Sequence, residues 1–378
     1  MIAGEGAGMR IAIIAHLKYA IREPFAGGLE MHTHLLATAL RRRGHAVTVF
    51  ASMKSDPAMG LEAICDETSL LETGTAEAQD VTFFREHHAY LRLMSMLRNR
   101  RFDVIHNNSL HYFPVSMAET LDTPMVTTLH TPPFCWLESG IRLCKSPSMR
   151  FVAVSDTIRG LWSHVTPIDR TIPNGIDLAS FPFQPAASPD RYLVWYGRIV
   201  AEKGLHLAID AARLAGYPLR IAGPISDPDY YAAEILPRLG ADVTHVGHLE
   251  HAALGALVGG ASAFLCTPRW EEPFGLVVAE ALASGTPVAA FARGAIPALL
   301  DESCGTLARA DDVASLADAA RRAVLLDRRA CRLRAEAICD ADVMIDRYED
   351  LYEEMIQPTR HAARGRASDY PITLAGAA

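Results

Sequence analysis

The chain lacks most of the features that mark metal, disulfide, membrane or nucleic-acid proteins. Its seven cysteines are an odd number, and no two stand in a CxxC pair. A zinc ribbon or disulfide framework is therefore not expected, and free thiols suit a reducing cytoplasm. There is no HExxH segment and no EF-hand loop, so no metal site is expected. There is no G-x-S-x-G elbow for a serine hydrolase, and AHLKYAIREPFAGGLE after the first strand does not carry the G-x-G-x-x-G fingerprint. Lys and Arg total 36 against 44 Asp and Glu, a formal net charge of −8. Phosphate-backbone binding needs a basic face, so nucleic acid is not an expected partner. No apolar run reaches the roughly 18–20 residues of a membrane helix. The start, MIAGEGAGMRIAIIAHL, has no basic region before its apolar stretch, so a signal segment is not expected.

What is present is a regular alternation. RIAIIAHL (10–17), HAVTVFAS (45–52), FDVIHNNS (102–109), PMVTTLHT (124–131) and RFVAVS (150–155) are short runs, apolar almost throughout, with helical sequence between them. Continuous apolar runs mark strands buried on both faces, and strand–helix alternation builds a parallel sheet. SFPFQPAASPDR (180–191) has no periodicity and reads as a linker. A second series follows with RYLVWYGR, PLRIAGP, DVTHVGH, SAFLCTP and TPVAAFA. The expected fold is therefore two facing Rossmann-like, doubly wound α/β domains with an interdomain cleft. Residues 1–182 would form the first domain and 183–343 the second. A final helix over 344–357 would pack back toward the first domain, and 358–378 would be a loose tail. The basic groups Arg41-Arg42-Arg43 and Arg98–Arg101 close expected helices, where cations suit the dipole. Contact with an anionic membrane is the alternative reading of them.

Ligands bind at the carboxyl ends of strands in such sheets. Arg198 ends a strand and Lys203 lies in the loop after it; they read either as ordinary surface cations near a loop or as a diphosphate site, which a planar fork and a point charge together suit. In EEPFGLVVAE, Glu272 precedes Pro273-Phe274-Gly275 and Glu280 lies on the helix that follows. The pair reads either as a cap plus an exposed acid, or as acceptors for sugar and ribose hydroxyls. Gly27 and Gly28 between the first strand and helix would form a plain turn or a close approach to a ligand. His130, at the end of PMVTTLHT, would face the cleft or pack. The irregular, aromatic- and proline-rich stretch 131–149 would either contact an acceptor or pack on its domain. Ser155 would cap the helix after it.

Taken together, GGLEMHTHLLATALRRRGHAVTVF, TTLHTP, VAVSDTIR, IPNGIDLASF, YGRIVAEKG, HVGH and PRWEEPFGLVVAEALASGTPVAA run in one order over about residues 9–357. In these the chain resembles the retaining glycosyltransferases of the GT-B fold, and among them the large family numbered four. The resemblance implies that Arg198 and Lys203 hold the donor diphosphate and that Glu280 holds the ribose. Glu272, with the amides of Phe274, Gly275 and Leu276, would hold the donor sugar, which His130 would contact from the other domain. Gly27 and Gly28 would approach the phosphates and the acceptor, and Gly223 with Val246–Leu249 would line the base pocket. The implied reaction moves a sugar from a nucleotide-diphosphate sugar to an acceptor hydroxyl without a cofactor or metal. The acceptor is a sugar, a lipid-linked sugar or a small molecule. The enzyme would be cytoplasmic, with peripheral contact at the inner membrane face as a further expectation. A sugar-nucleotide epimerase, a phosphorylase, or a non-catalytic sugar-nucleotide-binding protein on the same scaffold are the alternatives.

Overall fold

The computed structural model describes residues 8–65 and 77–367, with side chains described over 8–65 and 84–357. Residues 1–7 and 368–378, which carry the expectations for the N-terminal lead and the end of the tail, lie outside the described residues.

Two parallel sheets account for the strand pattern. The first holds β1 (Arg10–Ile14), β2 (Ala46–Ser52), β3 (Leu61–Cys65), β4 (Val104–Asn107), β5 (Met125–Leu129), β6 (Met149–Ala153) and β7 (Arg170–Thr171), ordered β3-β2-β1-β4-β5-β6-β7. The second holds β8 (Leu193–Tyr196), β9 (Leu219–Ala222), β10 (Val243–His245), β11 (Ala263–Cys266), β12 (Val288–Phe291) and β13 (Gly305–Ala308), ordered β10-β9-β8-β11-β12-β13. The central strands are buried along nearly their whole length. That burial on both faces is why their sequences are apolar without alternation. In each sheet the strand order reverses once, between β1 and β4 and between β8 and β11. A crevice opens at such a reversal, at the carboxyl ends of the strands.

The helices Gly28–Arg42 and Leu276–Ala283 start at these crevices, after β1 and β11. The first buries Met31, His32, Leu36 and Leu40 on one stripe, the spacing of an amphipathic helix. The last helix, Ala341–Ala367, buries Met344, Ile345, Tyr348, Leu351, Tyr352, Met355 and Ile356 against the first sheet. Tyr352 Oη lies 2.6 Å from His106 Nδ1, and Tyr348 Oη lies 3.2 Å from Thr128 Oγ1. The crossover to this helix passes Gly175, where a Cβ would lie 2.5 Å from Ala341 Cα. Ile176 and Ala341 tie the two crossing segments: Ile176 N–H donates to Cys339 O and Ala341 N–H donates to Ile176 O.

Three expectations need correction. The helix does not stop at Pro358 but continues to Ala367. The stretch 131–149 is not irregular throughout, because Cys135–Leu143 is a helix, with Leu137 and Ile141 buried and Trp136 exposed. The segment 180–191 is pinned to the second domain. Gln184 N–H donates to Ser284 O, Ser188 N–H to Gly260 O, and Arg328 Nε to Gln184 O.

The basic triplet Arg41-Arg42-Arg43 at the end of the Gly28–Arg42 helix is exposed, and two of its members have partners on the protein. Arg43 binds the carboxylates of Asp342, Asp346 and Glu349 on the last helix, and Arg41 donates to Val47 O. No helix among the described residues is long and apolar enough to cross a membrane.

Candidate active site

The two crevices face each other, and the contacts between them define the cleft. The Gly27-Gly28 turn meets the second domain: a Cβ on Gly28 would lie 2.7 Å from Leu276 Cδ1, and one on Gly27 would lie 4.0 Å from Arg198 Nε. Beside it, His248 Nε2 lies 3.2 Å from Phe25 O, and His251 Nδ1 lies 3.5 Å from Glu23 Oε1. On the other flank Ser155 Oγ donates to Pro273 O at 2.6 Å. Ser155 also accepts from Ile158 N–H, so it is a cap and a tie between domains at once.

Arg198 and Lys203 both follow β8. Lys203 ends the short turn Ala201–Lys203, and its backbone carbonyl accepts from Thr267 Oγ1 at 2.8 Å. Gly204 continues it at φ +66°, where a Cβ would strike Thr267 O at 2.3 Å. This close passage fixes where the lysine leaves the backbone. Its Nζ reaches Glu272 Oε2 at 2.8 Å, and Arg198 lies 3.5 Å from Glu202 Oε1.

Glu272 sits in the loop before the Leu276–Ala283 helix, but it does not cap that helix, whose N-cap is Gly275 at φ +98°. Its neighbour Glu271 accepts from Gly294 N–H at 2.9 Å. Of the two adjacent acids, Glu272 is therefore the one that meets Lys203. Phe274 is part of the core through its side chain. The amides of Phe274, Gly275 and Leu276 precede or begin the helix, where an N–H has no carbonyl partner within the helix.

Glu280 departs from the bland reading of an exposed acid, since it is only 5% exposed. Burial pushes its pKa up to about 8, partly offset by the nearby Tyr196 hydroxyl, which itself donates to Val277 O at 2.6 Å. A carboxyl in this state needs hydroxyl or cationic partners before it ionises readily.

Gly223 and Val246, expected to border a base, also fall at strand ends. Gly223 follows β9 at φ +137°, and a Cβ there would lie 1.9 Å from Gly197 O. No other residue fits that approach. Its N–H donates to Gly247 O, while Val246 is exposed beside it.

On the first domain, His130 follows β5 and is 8% exposed. Its Nε2 lies 2.9 Å from Asn108 Oδ1, and its ring meets His32 edge to face at 4.8 Å. With Nε2–H donating to the amide oxygen, Nδ1 is left as the acceptor. Burial, and then His32, His106 and His16, push its pKa well below the ordinary histidine value. Asn108 Nδ2 and Thr131 Oγ1 nearby are buried without a hydrogen-bond partner.

The structure thus brings Lys203 to Glu272, and sets Gly27 against Arg198 and Gly28 against Leu276. Three residues at the site were not legible beforehand. Glu30 is buried 3.5 Å from His16 Nδ1 beside the Gly27-Gly28 turn. In sequence it is only an acid in the first turn of a helix, which the dipole alone explains. Asn108 is one of several polar residues after β4. Trp270 donates to Glu272 Oε2 at 3.1 Å, and nothing in its spacing announces that.

Comparison with known proteins fits this geometry. Residues 26–180 match the sequence profile of Glycosyltransferase Family 4, and residues 179–338 match that of Glycosyl transferases group 1. The glycogen synthase of Mycobacterium tuberculosis is 33% identical over 361 residues, covering 82% of this chain and 85% of the relative. A phosphatidyl-myo-inositol mannosyltransferase of Mycolicibacterium smegmatis is 25% identical over 360 residues, covering 90% of each. Among solved structures, Anabaena HepE in complex with UDP and glucose superposes with a TM-score of 0.71 at 16% identity, covering 92% of this chain and 100% of that one. With both of its domains matched in order and a relative of this identity along most of its length, the chain belongs to the family 4, group 1 glycosyltransferases, built on the GT-B fold.

Proposed function

We propose that this glycosyltransferase moves a sugar from a nucleotide-diphosphate sugar to an acceptor hydroxyl, with retention of anomeric configuration and without a metal ion. The observation that carries the reading is the meeting of Gly27 and Gly28 with Arg198 and Leu276 across the cleft. A backbone without side chains lies there against a guanidinium, and the ammonium of Lys203 issues from the same β8 turn. That is a place for phosphate. HepE, on the same fold, is solved with UDP and with UDP-glucose, which supports a nucleotide-sugar donor.

In this reading Arg198 and Lys203 bind the diphosphate, and Glu280 accepts from the ribose hydroxyls. Glu272 and the amides of Phe274, Gly275 and Leu276 hold the donor sugar. Gly223 and Val246 border the base. His130 offers Nδ1 to a sugar hydroxyl from the other wall. The acceptor hydroxyl attacks the anomeric carbon from the face that the diphosphate leaves. The C–O bond to phosphate breaks, the new C–O bond forms, and the hydroxyl proton passes to a departing phosphate oxygen. The negative charge that grows on the phosphate is what two fixed cations stabilise most. Asn108 and Thr131 have unpartnered polar atoms for an acceptor or a sugar hydroxyl.

The test is proton NMR of the reaction in the presence of EDTA. The expected product keeps the donor's anomeric configuration, and nucleoside diphosphate is released in equal amount. An inverted product, or dependence on added metal, contradicts the proposal. An isomerised donor, or turnover only with inorganic phosphate, moves the reading to an epimerase or a phosphorylase.

A further inference from the structure

Trp270 stands in the turn between β11 and the Leu276–Ala283 helix, half-buried, and the roles above leave it without one. Its Nε1–H donates to Glu272 Oε2 at 3.1 Å, the same oxygen that accepts from Lys203 Nζ at 2.8 Å. Lys203 Nζ also lies 5.0 Å from the centre of the indole ring. The three side chains close a triangle: indole to carboxylate, carboxylate to ammonium, ammonium to ring.

The backbone under this triangle is held. Glu271 Oε2 accepts from Gly294 N–H, and Glu272 O accepts from Ala295 N–H at 2.8 Å. A Cβ on Gly294 would lie 2.3 Å from Glu272 N, so the two loops touch. What remains to be fixed at Glu272 is the side chain, and its partners decide where the carboxylate points.

Those partners have different prospects when a donor enters. An ammonium is a point charge that a diphosphate draws toward itself. The more Lys203 turns to the phosphate, the less it orients Glu272. The indole N–H is a neutral donor on a rigid ring and does not follow the phosphate. We propose that Trp270 is a positioning residue for the donor sugar. It holds Glu272 Oε2 while Lys203 serves the diphosphate, so that Oε1 meets the sugar hydroxyls in one geometry. This rests on reading the cleft as a nucleotide-sugar site. Trp270 then acts on the sugar half of the donor and leaves the nucleotide half alone.

Two variants separate the N–H from the ring. Trp270→Phe keeps an aromatic face for Lys203 and removes the donor; Trp270→His restores an N–H on a smaller ring. The measurements are kcat and KM with UDP-, ADP- and GDP-linked glucose or mannose, and calorimetric Kd for free UDP, ADP and GDP. The expected result for Trp270→Phe is a KM for the nucleotide sugar raised about tenfold or more, the effect of one hydrogen bond to a charged group. The matching expectation is a Kd for the free diphosphate within about twofold of wild type, because uniform binding is lost only at the sugar. Trp270→His recovers most of the difference. An unchanged KM in Trp270→Phe overturns the proposal. So does an equal loss for diphosphate and nucleotide sugar, or a Trp270→His variant no better than Trp270→Phe. Wild-type protein that binds none of the diphosphates contradicts the cleft assignment itself, an outcome distinct from any of these.

Discussion

Lys203→Ala is expected to lower kcat by about a hundredfold to a thousandfold, the range for removing one fixed donor from a developing oxyanion. KM for the nucleotide sugar should rise as well, because Lys203 meets phosphate charge already in the bound donor and more of it as the diphosphate departs. The fold should survive. Lys203 and Glu272 keep 23% and 13% of their side chains exposed, so water can reach the carboxylate when the ammonium is removed. Trp270 still donates to the carboxylate when the ammonium is gone. A melting temperature within about 3 °C of wild type is the matching expectation. Steady-state kinetics beside thermal melting checks both. A variant that keeps more than about a tenth of the wild-type kcat removes Lys203 from the chemistry.

Glu280→Gln has its largest effect on the pH dependence of stability. The carboxyl has a raised pKa of about 8 in the fold against an ordinary value of about 4.5. A raised carboxyl contributes its stability fully below the unfolded value and loses it as pH rises through the folded value. The wild type should therefore weaken relative to Glu280→Gln from about pH 4.5 to about pH 8 and change no further above that. The gap at high pH is at most about 5 kcal/mol by linkage. Melting curves of the two proteins should coincide near pH 4 and separate by several degrees at pH 9, with the glutamine variant the more stable. Curves that stay parallel across this range contradict a buried, neutral Glu280. The same acid has an opposite effect on binding. Ribose hydroxyls donate better to the carboxylate than to the neutral acid, so wild-type affinity for a nucleoside diphosphate should rise toward pH 8. Glu280→Gln should bind about tenfold or more weakly and without that pH dependence.

The central strands were legible because burial on both faces leaves an unbroken apolar run, which β1, β5 and β8 all show. The edges were not. In β3, LEAIC is intermediate or exposed at every position, β7 has two residues, and β13 is half-buried at Thr306 and exposed at Leu307. Edge strands lack the double burial that made the others visible. The helix Cys135–Leu143 was hidden behind the two prolines of TPPF. The last helix was cut short at Pro358, where loss of a backbone donor normally ends a helix. Composition marked the segment 180–191 as a linker because it records backbone preference alone; that the guanidinium of Arg328, far along the chain, pins it was not legible.

The candidate site divides in the same way. Arg198, Lys203, Glu272 and Glu280 stood out because charges at strand ends and around a helix start are conspicuous against apolar runs. That Glu280 is buried, and that Glu271 serves the Gly294 amide, depend on what packs across from them. Glu30 and Trp270 are ordinary residues by local pattern. Glu30 meets His16 from the helix after β1, and Trp270 meets Glu272 within its own loop, and neither meeting follows from residue type or spacing.

The central claim is that the cleft holds a nucleotide diphosphate between Arg198, Lys203 and the Gly27-Gly28 turn. The most direct measurement is thermal melting of wild type and Lys203→Ala with UDP, ADP, GDP and their sugars, first with EDTA and then with magnesium. A ligand bound only by the native state raises the melting temperature by mass action. The account predicts a clear rise with one of the three bases, undiminished by EDTA and lost or strongly reduced in Lys203→Ala. No rise with any nucleotide, or an equal rise in both proteins, would contradict it.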